Sequence, residues 1–236
     1  MLLLGTDRRS DVATTGDAAE AAAWVPGAQR SDLMMLLHID ADRDEVTVIS
    51  LPRDSWVDVP GYGMSKINAA YSYGGPALAV RTVEQLTDVH VDHLAVVDWT
   101  GFRELTDAVG GITVDVPETV HDSARGITWA AGEHRLDGQQ ALDYVGQRYG
   151  LPGGDLDRVR RQQVVFAHLA AESLDQRSSP RLVVEFIDLL ARHVSVDDRW
   201  SSSEMASLGW SLRHVGRNDV HHLTVPVAGL GWEETQ

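Results

Sequence analysis

The stretch that most limits the fold of this chain runs from residue 93 to residue 116. Residues 93–98 predict a strand, residues 100–109 have the pattern of a helix, and residues 112–116 predict a second strand. Gly110 and Gly111 supply a helix end, and Pro117 ends the second strand. This order is typical of a βαβ unit, whose strands lie parallel in one sheet, so the stretch favours a mostly parallel sheet.

Further apolar and amphipathic segments extend this pattern to the whole chain. Strands are predicted over residues 2–4, 33–39, 45–51 and 220–225, and helices over residues 76–87, 138–146, 156–174, 180–193 and 201–215. Residues 117–137 are irregular and predict a flap that carries Trp129. We therefore expect one domain over residues 1–236, a three-layer α/β/α fold around a central mixed, mostly parallel sheet.

Charge and composition exclude several classes of function. The chain has 20 Lys and Arg against 35 Asp and Glu, a net charge of −15, which disfavours binding to nucleic acid or to an anionic membrane surface. It has no cysteine, so thiol catalysis and disulfides are excluded. No apolar run approaches the roughly 20 residues that span a bilayer. Because Met1 leads directly into a predicted buried strand, we expect that natural upstream sequence, such as a membrane anchor, has been removed.

A local excess of positive charge lies between residues 147 and 165. Arg148, Arg158, Arg160 and Arg161 fall within 14 positions. Helical spacing places Arg158, Arg161 and Gln162 on one face, and Arg160 on another. Guanidinium groups at the start of a helix form a cradle for phosphate. The alternative is a surface helix with ordinary ion pairs.

Other charged residues follow or precede predicted strands. Asp7 follows the first strand, Asp32 precedes the second apolar run, Arg53 and Asp54 follow Pro52, and Lys66 lies on a loop. Asp7 and Asp32 converge if these two strands are neighbours, and two carboxylates beside a pyrophosphate would form an oxygen-only site suited to Mg²⁺ or Mn²⁺. The alternatives are turn caps for the acids and a simple surface position for the lysine. Dispersed arginines with acids and no nucleophile motif fit phosphoryl transfer.

An ordered set of sequence blocks carries a family resemblance. The blocks are LLLGTDRR at 2–9, RSDLMM at 30–35, SLPRD at 50–54, KINAAY at 66–71, GG at 74–75, VDH at 91–93, DWTGF at 98–102, DAVGGI at 107–112, GQQALDYV at 138–145 and DLDRVRRQQ at 155–163. In this order they resemble the LytR-CpsA-Psr (LCP) family over residues 2–170.

The resemblance implies a membrane-anchored phosphotransferase at the extracellular face of the bacterial membrane. Such an enzyme moves a glycopolymer from a polyprenyl-pyrophosphate carrier to a peptidoglycan or other cell-wall hydroxyl and leaves a phosphodiester link. It also implies an α/β/α fold with an apolar lipid pocket, for which we expect the helices at 76–87, 138–146 and 156–174 to supply the walls, and a polar mouth with Mg²⁺ (or Mn²⁺).

The resemblance also assigns residues. It implies that Asp7 and Asp32 are metal-linked acids, and that the catalytic set is Asp7, Asp32, Arg53 and Arg158. Its phosphate-contacting positions match Arg9, Arg53, Lys66, Arg148, Arg158 and Gln162, with Arg161 adjacent. Two departures are clear: Gly146 replaces an arginine usual in the family, and Asp157 stands where many members have glycine.

Several interpretations stay open at this point. Asp32 or Asp54 can accept the proton of the attacking hydroxyl. The same site could hydrolyse a polyprenyl pyrophosphate with water, or the domain could bind lipid-linked or phosphorylated glycans without turnover. Transcriptional regulation is disfavoured by the net charge of −15 and by the lack of a helix-turn-helix with a basic recognition helix.

Overall fold

The computed structural model describes residues 1–6, 14–17, 19–20, 22, 24–147, 149–151, 154–175, 188–216 and 219–225. Within these ranges the elements are, in chain order, β1 (Leu2–Thr6), β2 (Ser31–Ile39), β3 (Val46–Ser50), β4 (Trp56–Val59), β5 (Gly63–Lys66), α1 (Ile67–Thr87), β6 (Leu94–Asp98), α2 (Trp99–Ala108), β7 (Ile112–Val116), β8 (Val120–Asp122), β9 (Ile127–Trp129), β10 (Gly132–Leu136), α3 (Gly138–Gly146), α4 (Asp155–Asp175), β11 (Val194–Val196), α5 (Ser202–Ser211) and β12 (Val220–Thr224). Residues 188–193 are also helical.

The central sheet of the described chain has the strand order β11-β6-β1-β2-β3-β12. The sheet is mixed, as predicted, but the expectation of a mostly parallel sheet is wrong. β1 pairs with β6 and β3 with β12 in parallel, whereas β1–β2, β2–β3 and β6–β11 are antiparallel. A short turn joins β2 to β3, with the Asp40 carboxylate accepting hydrogen bonds from the backbone of Asp44 and Glu45. A connection this short forces its two strands to run antiparallel.

The predicted βαβ unit at residues 93–116 is also wrong in its pairing. Its strand, helix and strand exist as β6, α2 and β7, but β7 pairs antiparallel with β10 in a separate sheet. Both edges of β6 are occupied, one by β1 and the other by β11, so no position beside it is left for β7. The strand is instead anchored by Ile112, Val114 and Val116, which are buried in the core.

Two further predictions are decided by the segment before α3. Residues 117–137 are not an irregular flap, because they contain the β8–β9 hairpin and β10. Trp129 is buried and packs edge-on against Tyr144, with ring centroids 5.4 Å apart. The predicted helix over residues 138–146 is confirmed, and it begins with a capping box formed by Asp137 and Gln140.

The two faces of the central sheet bury different helices. On one face, Leu2 and Leu4 of β1 and Met34 of β2 pack in one cluster with Leu78 of α1. The other face is covered by α2 and α4 through a cluster that contains Phe102 and Val165. The alternation follows from the two-residue period of a strand. The predicted α/β/α layering is therefore confirmed.

The predicted helices are present where the structure describes them, but α1 already begins at Ile67 and α5 ends at Ser211 and does not reach residue 215. α1 is kinked at Gly74 and Gly75, and its second part runs from Pro76 to Thr87 as predicted. α5 begins at the predicted Ser201 cap. Of the predicted helix at 180–193, residues 188–193 are helical and the remainder lies outside the described residues. None of the described helices combines the length and the apolar character needed to cross a bilayer.

Candidate active site

Charged residues that the sequence predicts as site residues lie at one edge of the central sheet, the edge formed by the ends of its strands. β1, β3, β6 and β12 end at this edge, and β2 begins there because it is antiparallel to β1 and β3. Thr6 of β1 lies opposite Ser31 of β2 and beside Asp98 of β6. The topology therefore brings Asp32, which follows Ser31, close to Arg53, which follows β3.

Arg53 stands between two carboxylates at this edge. Its Nη1 donates to Asp32 Oδ1 at 2.5 Å, and its Nε lies 3.6 Å from Asp54 Oδ2. Lys66 completes the row, with its Nζ 3.0 Å from Asp54 Oδ1. The side chain of Arg53 is 16% exposed and that of Lys66 is 54% exposed, so the arginine is fixed within the site and the lysine lies at its rim.

The pKa of the Asp54 carboxyl is displaced from its ordinary value. Burial alone would raise its pKa, but the hydrogen bond from Lys66 and the charges of Lys66, Arg53 and Arg158 outweigh burial and hold the pKa below its ordinary value. Asp54 is therefore ionised at neutral pH and is a weak base.

Arg158 reaches the same place from α4. It is 5% exposed, and it lines a small recess together with Asp32, Arg53 and Gln162. Arg160, two residues further, has a side chain that is 76% exposed, which confirms the prediction that it points away. Gln163 fastens α4 to the sheet by donating from Nε2 to the backbone oxygen of Leu223 at 3.0 Å. The structure thus brings together four of the predicted residues: Asp32, Arg53, Arg158 and Gln162.

Arg161 lies on the same buried face of α4 and has a different set of partners. Its guanidinium stacks over the Tyr144 ring at 4.2 Å and donates to Gln147 Oε1 at 2.6 Å. Gln147 is fully buried and donates in turn to the backbone oxygen of Tyr149 at 2.7 Å. Burial lowers the pKa of Arg161 from its ordinary value. These contacts support a positioning role for Arg161, which fixes the turn after α3.

Three predicted site residues, Asp7, Arg9 and Arg148, lie outside the described residues, so their predicted roles stay predictions. For Asp7 the structure describes the strand that precedes it. β1 and β2 are neighbours, which is the arrangement on which its predicted approach to Asp32 depended.

A cavity of about 440 Å³, lined by charged and apolar residues and called the polar cavity below, opens beside the recess. Asp32, Arg158 and Gln162 line it on one side, and Arg125 and Tyr149 also contribute to its wall. The sequence analysis did not identify Arg125 or Tyr149. The available signal for Arg125 was Gly146, the position that lacks the family's usual arginine, because the Arg125 guanidinium lies against that glycine.

An apolar cavity of about 340 Å³ adjoins the polar one. Val97, Phe102 and Phe166 line both cavities. The apolar cavity extends between the sheet and α5, past Leu3, Met35 and Leu208. Among the expected pocket helices, α4 lines both cavities and α3 lines the polar one. Residues 76–87 line neither of these two cavities, because that part of α1 packs on the opposite face of the sheet.

The described residues offer a limited set of metal ligands. They contain no cluster of three or more His, Asp or Glu side chains able to hold a metal ion. Asp32 and Asp98 both line the polar cavity, but the Asp98 carboxylate already accepts hydrogen bonds from Thr14 and from the backbone of Gly101. Mg²⁺ binds through one or two carboxylates together with substrate phosphates, so one carboxylate beside a phosphate cradle fits its chemistry.

Comparison with known proteins agrees with this architecture. A model of the LytR_cpsA_psr family matches residues 1–235. The cell wall biosynthesis protein LcpA of Corynebacterium glutamicum is 31% identical over 98% of this chain and 50% of its own length. The chain spans about half the length, or less, of the curated relatives it matches first.

Solved structures of other proteins are also similar to this chain over nearly its whole length. TagV of B. subtilis has a TM-score of 0.78 and 25% identity, and the match covers 99% of this chain and 87% of TagV. A structure of TagT bound to LI-WTA has a TM-score of 0.76 and 25% identity over 99% of this chain and 80% of that one. Since the family model covers almost every residue, the chain belongs to the LytR-CpsA-Psr family.

Proposed function

We propose that this protein transfers a glycopolymer from a polyprenyl-pyrophosphate carrier to a hydroxyl group of the cell wall. The observation that carries the proposal is the adjacency of the two cavities: an apolar one suited to a prenyl chain, and a polar one with the buried Arg158 in its wall. Membership of the family supports it, as do a relative described as a cell wall biosynthesis protein and the structure of TagT bound to LI-WTA.

The apolar cavity supplies binding energy for the lipid. Each CH₂ group that leaves water contributes about 0.8 kcal/mol, so several isoprene units provide enough to hold the carrier. The shared wall of Val97, Phe102 and Phe166 lets the chain lie in the apolar cavity while its pyrophosphate lies in the polar one.

The polar cavity supplies positioning and charge stabilisation. An acceptor hydroxyl attacks the phosphorus nearer the sugar, and its oxygen forms the new bond to phosphorus. The bond from that phosphorus to the bridging oxygen breaks, and polyprenyl phosphate leaves. Arg53 and Arg158 stabilise the charge that develops on the departing phosphate, because fixed guanidinium donors need little reorganisation during the reaction.

The hydroxyl proton requires an acceptor. Asp32 and Asp54 both flank Arg53, but Asp32 lines the polar cavity and the recess, whereas Asp54 lines neither. The charges around Asp54 also hold its pKa below the ordinary value, which makes it a weak base. Asp32 is therefore the better placed of the two to accept the proton, through a carboxylate oxygen that does not hold the metal.

The remaining assignments extend the family comparison to this chain. Asp32, together with Asp7, would hold Mg²⁺ or Mn²⁺, which neutralises pyrophosphate charge when bound. Arg9, Lys66, Arg148 and Gln162 complete the phosphate contacts. The acceptor is peptidoglycan, and the protein acts at the extracellular face of the bacterial membrane, held there by an N-terminal anchor.

The experiment compares two arginines of α4: Arg158, which lines the cavity, and Arg160, which is exposed on another side of the helix. The purified protein is incubated with a short-chain polyprenyl-pyrophosphate sugar, Mg²⁺ and soluble peptidoglycan fragments as the acceptor, and released polyprenyl phosphate is followed by mass spectrometry. Replacement Arg158→Ala removes a donor to the developing charge and should lower the rate by about 100-fold or more. Arg160→Ala, on the exposed side, should leave the rate unchanged.

Two additional measurements separate catalysis from folding. Arg158→Lys keeps the positive charge but loses the planar fork, so it should remain folded and release product much more slowly than wild type. Circular dichroism checks the fold of each variant. Equal rates in wild type and a folded Arg158→Ala variant would exclude Arg158 from the mechanism. Tight binding without release by wild type would favour a non-catalytic glycan binder.

A further inference from the structure

Arg125 is a cavity-lining arginine outside the predicted site. It lies in the turn of the β8–β9 hairpin and contributes to the wall of the polar cavity. The same wall contains Gly146, the last residue of α3. Arg125 is therefore placed to contact a ligand that binds in the polar cavity.

Contacts on two edges hold the Arg125 guanidinium in place. Nη1 donates to Asp122 Oδ2 at 2.9 Å and to the backbone oxygen of Gly146 at 3.1 Å, and Nε lies 3.3 Å from Asp143 Oδ1. The Asp122 side chain is fully buried, so this anchor is rigid. Within the part of the chain that the structure describes, Nη2 has no hydrogen-bond partner. The group is thus oriented in advance, with donors left for a ligand.

Gly146 makes room for this arrangement. A Cβ atom added at Gly146 would lie 2.7 Å from Arg125 Nη2, closer than such atoms approach in proteins. Any side chain at position 146 would therefore displace the Nη2 edge. Arg125 therefore occupies its present position because residue 146 is a glycine.

The charge balance around Arg125 indicates the class of ligand. One guanidinium faces two carboxylates, Asp122 and Asp143, so the group of three carries a net negative charge. Such a group attracts a phosphate poorly, since the carboxylates repel it, but it suits neutral hydroxyl groups that both donate and accept. Trp99 and Tyr149 line the same cavity and are 36% and 60% exposed, which offers aromatic faces for the apolar face of a sugar ring.

We propose that Arg125, held against Gly146, binds hydroxyl groups of the sugar that follows the pyrophosphate in the donor. This inference rests on the proposed function, because it takes the polar cavity as the donor site. Arg158 and Arg53 bind the pyrophosphate on the side of the recess, and Arg125 binds the neutral sugar at the side formed by α3 and the hairpin.

Binding of two lipids tests the inference. The dissociation constant of an inactive, non-hydrolysable short-chain prenyl pyrophosphate analogue is measured with and without one N-acetylglucosamine. Arg125→Ala should weaken binding of the sugar-bearing probe by about 10-fold, the loss of one hydrogen bond from a charged donor, and leave binding of the sugar-free probe unchanged.

A second variant and a control make the result specific. Gly146→Ala keeps every charge and improves helix propensity, yet it displaces Nη2, so it should weaken only the sugar-bearing probe. It also avoids leaving Asp122 unpaired, which could unfold the Arg125→Ala variant. Arg135 also donates to a backbone oxygen, that of Gly110, but does not line the polar cavity, so Arg135→Ala should change neither affinity.

The other outcomes each have a defined meaning. Equal weakening of both probes would show that Arg125 binds the pyrophosphate, and no change in either would show a purely structural ion pair; both overturn the inference and leave the proposed function intact. Failure of wild type to bind either probe would overturn the proposed function and the inference with it.

Discussion

At the scale of single residues, neighbouring buried arginines of α4 have different tasks. Arg158 and Arg161 are 5% and 9% exposed and lie on the same face. Arg161 is occupied by Tyr144 and Gln147, whereas Arg158 lines the cavity. Helical spacing predicts that both are inward, but it does not reveal their partners. The partners depend on where α3 ends, and that is set by tertiary packing.

The site residues that were predicted from the sequence differ from those that were not in the way they are brought to the site. Arg53 follows the end of β3, whereas Asp32 is the second residue of β2 and lies at the same edge only because β2 is antiparallel to β3. The predicted parallel sheet would have separated these two residues, so their shared site was predicted by the family resemblance. Arg125 reaches the cavity only because the β8–β9 hairpin folds back onto α3. No local periodicity predicts that approach, so this part of the site required the structure.

Tyr71 provides a residue-scale prediction for stability. It is fully buried, and burial raises the pKa of its phenol to about 12, against about 10 for an exposed tyrosine. A raised folded-state pKa means that the stabilisation is complete below pH 10 and is lost as the pH rises toward 12. Relative to Tyr71→Phe, wild type should lose about 2 to 3 kcal/mol over that interval.

Urea unfolding of wild type and Tyr71→Phe at pH 8, 10 and 12 measures this difference. The other tyrosines titrate in both proteins, so they cancel in the comparison. Unfolding free energies that stay parallel from pH 8 to pH 12 would contradict the assignment.

At the scale of elements, close packing of α2 against α3 fixes the wall of the polar cavity. A Cβ added at Gly138 would lie 2.3 Å from the backbone oxygen of Arg103, so the two helices meet at backbone distance. α3 then carries Leu142 and Val145 to the cavity. The sequence predicted only that a helix begins here. It did not predict the close approach of α3 to α2, which depends on the fold.

Two glycine replacements test this contact. Gly138→Ala must push α2 and α3 apart and should lower the free energy of unfolding by about 1 to 3 kcal/mol. Gly209→Ala in α5 is the matched control: its added Cβ meets no described atom within 4 Å, so higher helix propensity should stabilise the protein by up to about 1 kcal/mol. Thermal and urea unfolding give both values, and a neutral Gly138→Ala would contradict the packing.

The element scale also explains the incorrect sheet prediction. Residues 93–116 do form a strand, a helix and a strand, so the local sequence pattern predicted these three elements correctly. The error lay in pairing, because β11, a strand of three residues far along the chain, takes the edge of β6 that the prediction gave to β7. Competition between distant segments for one edge cannot be read from a local pattern.

At the scale of the whole molecule, the fold arranges an apolar cavity of about 340 Å³ and an arginine-lined polar cavity around a shared wall. The chain carries a net charge of −15, so the positive groups of the site are a local exception in an acidic protein. The α/β/α layering was predictable from the order of elements, and the four convergent site residues were predictable from helix spacing and the family resemblance. The cavity shapes were not, because they depend on how α4 and α5 sit above the sheet.

The central claim is transfer to an acceptor hydroxyl, and the products of one reaction test it most directly. Wild type is incubated with a short-chain polyprenyl-pyrophosphate sugar, Mg²⁺ and soluble peptidoglycan fragments, and the products are identified by mass spectrometry. We predict polyprenyl phosphate together with a fragment that has gained the sugar through a phosphodiester. Polyprenyl phosphate accompanied only by free sugar phosphate, with unmodified fragments, would contradict transfer and identify a hydrolase.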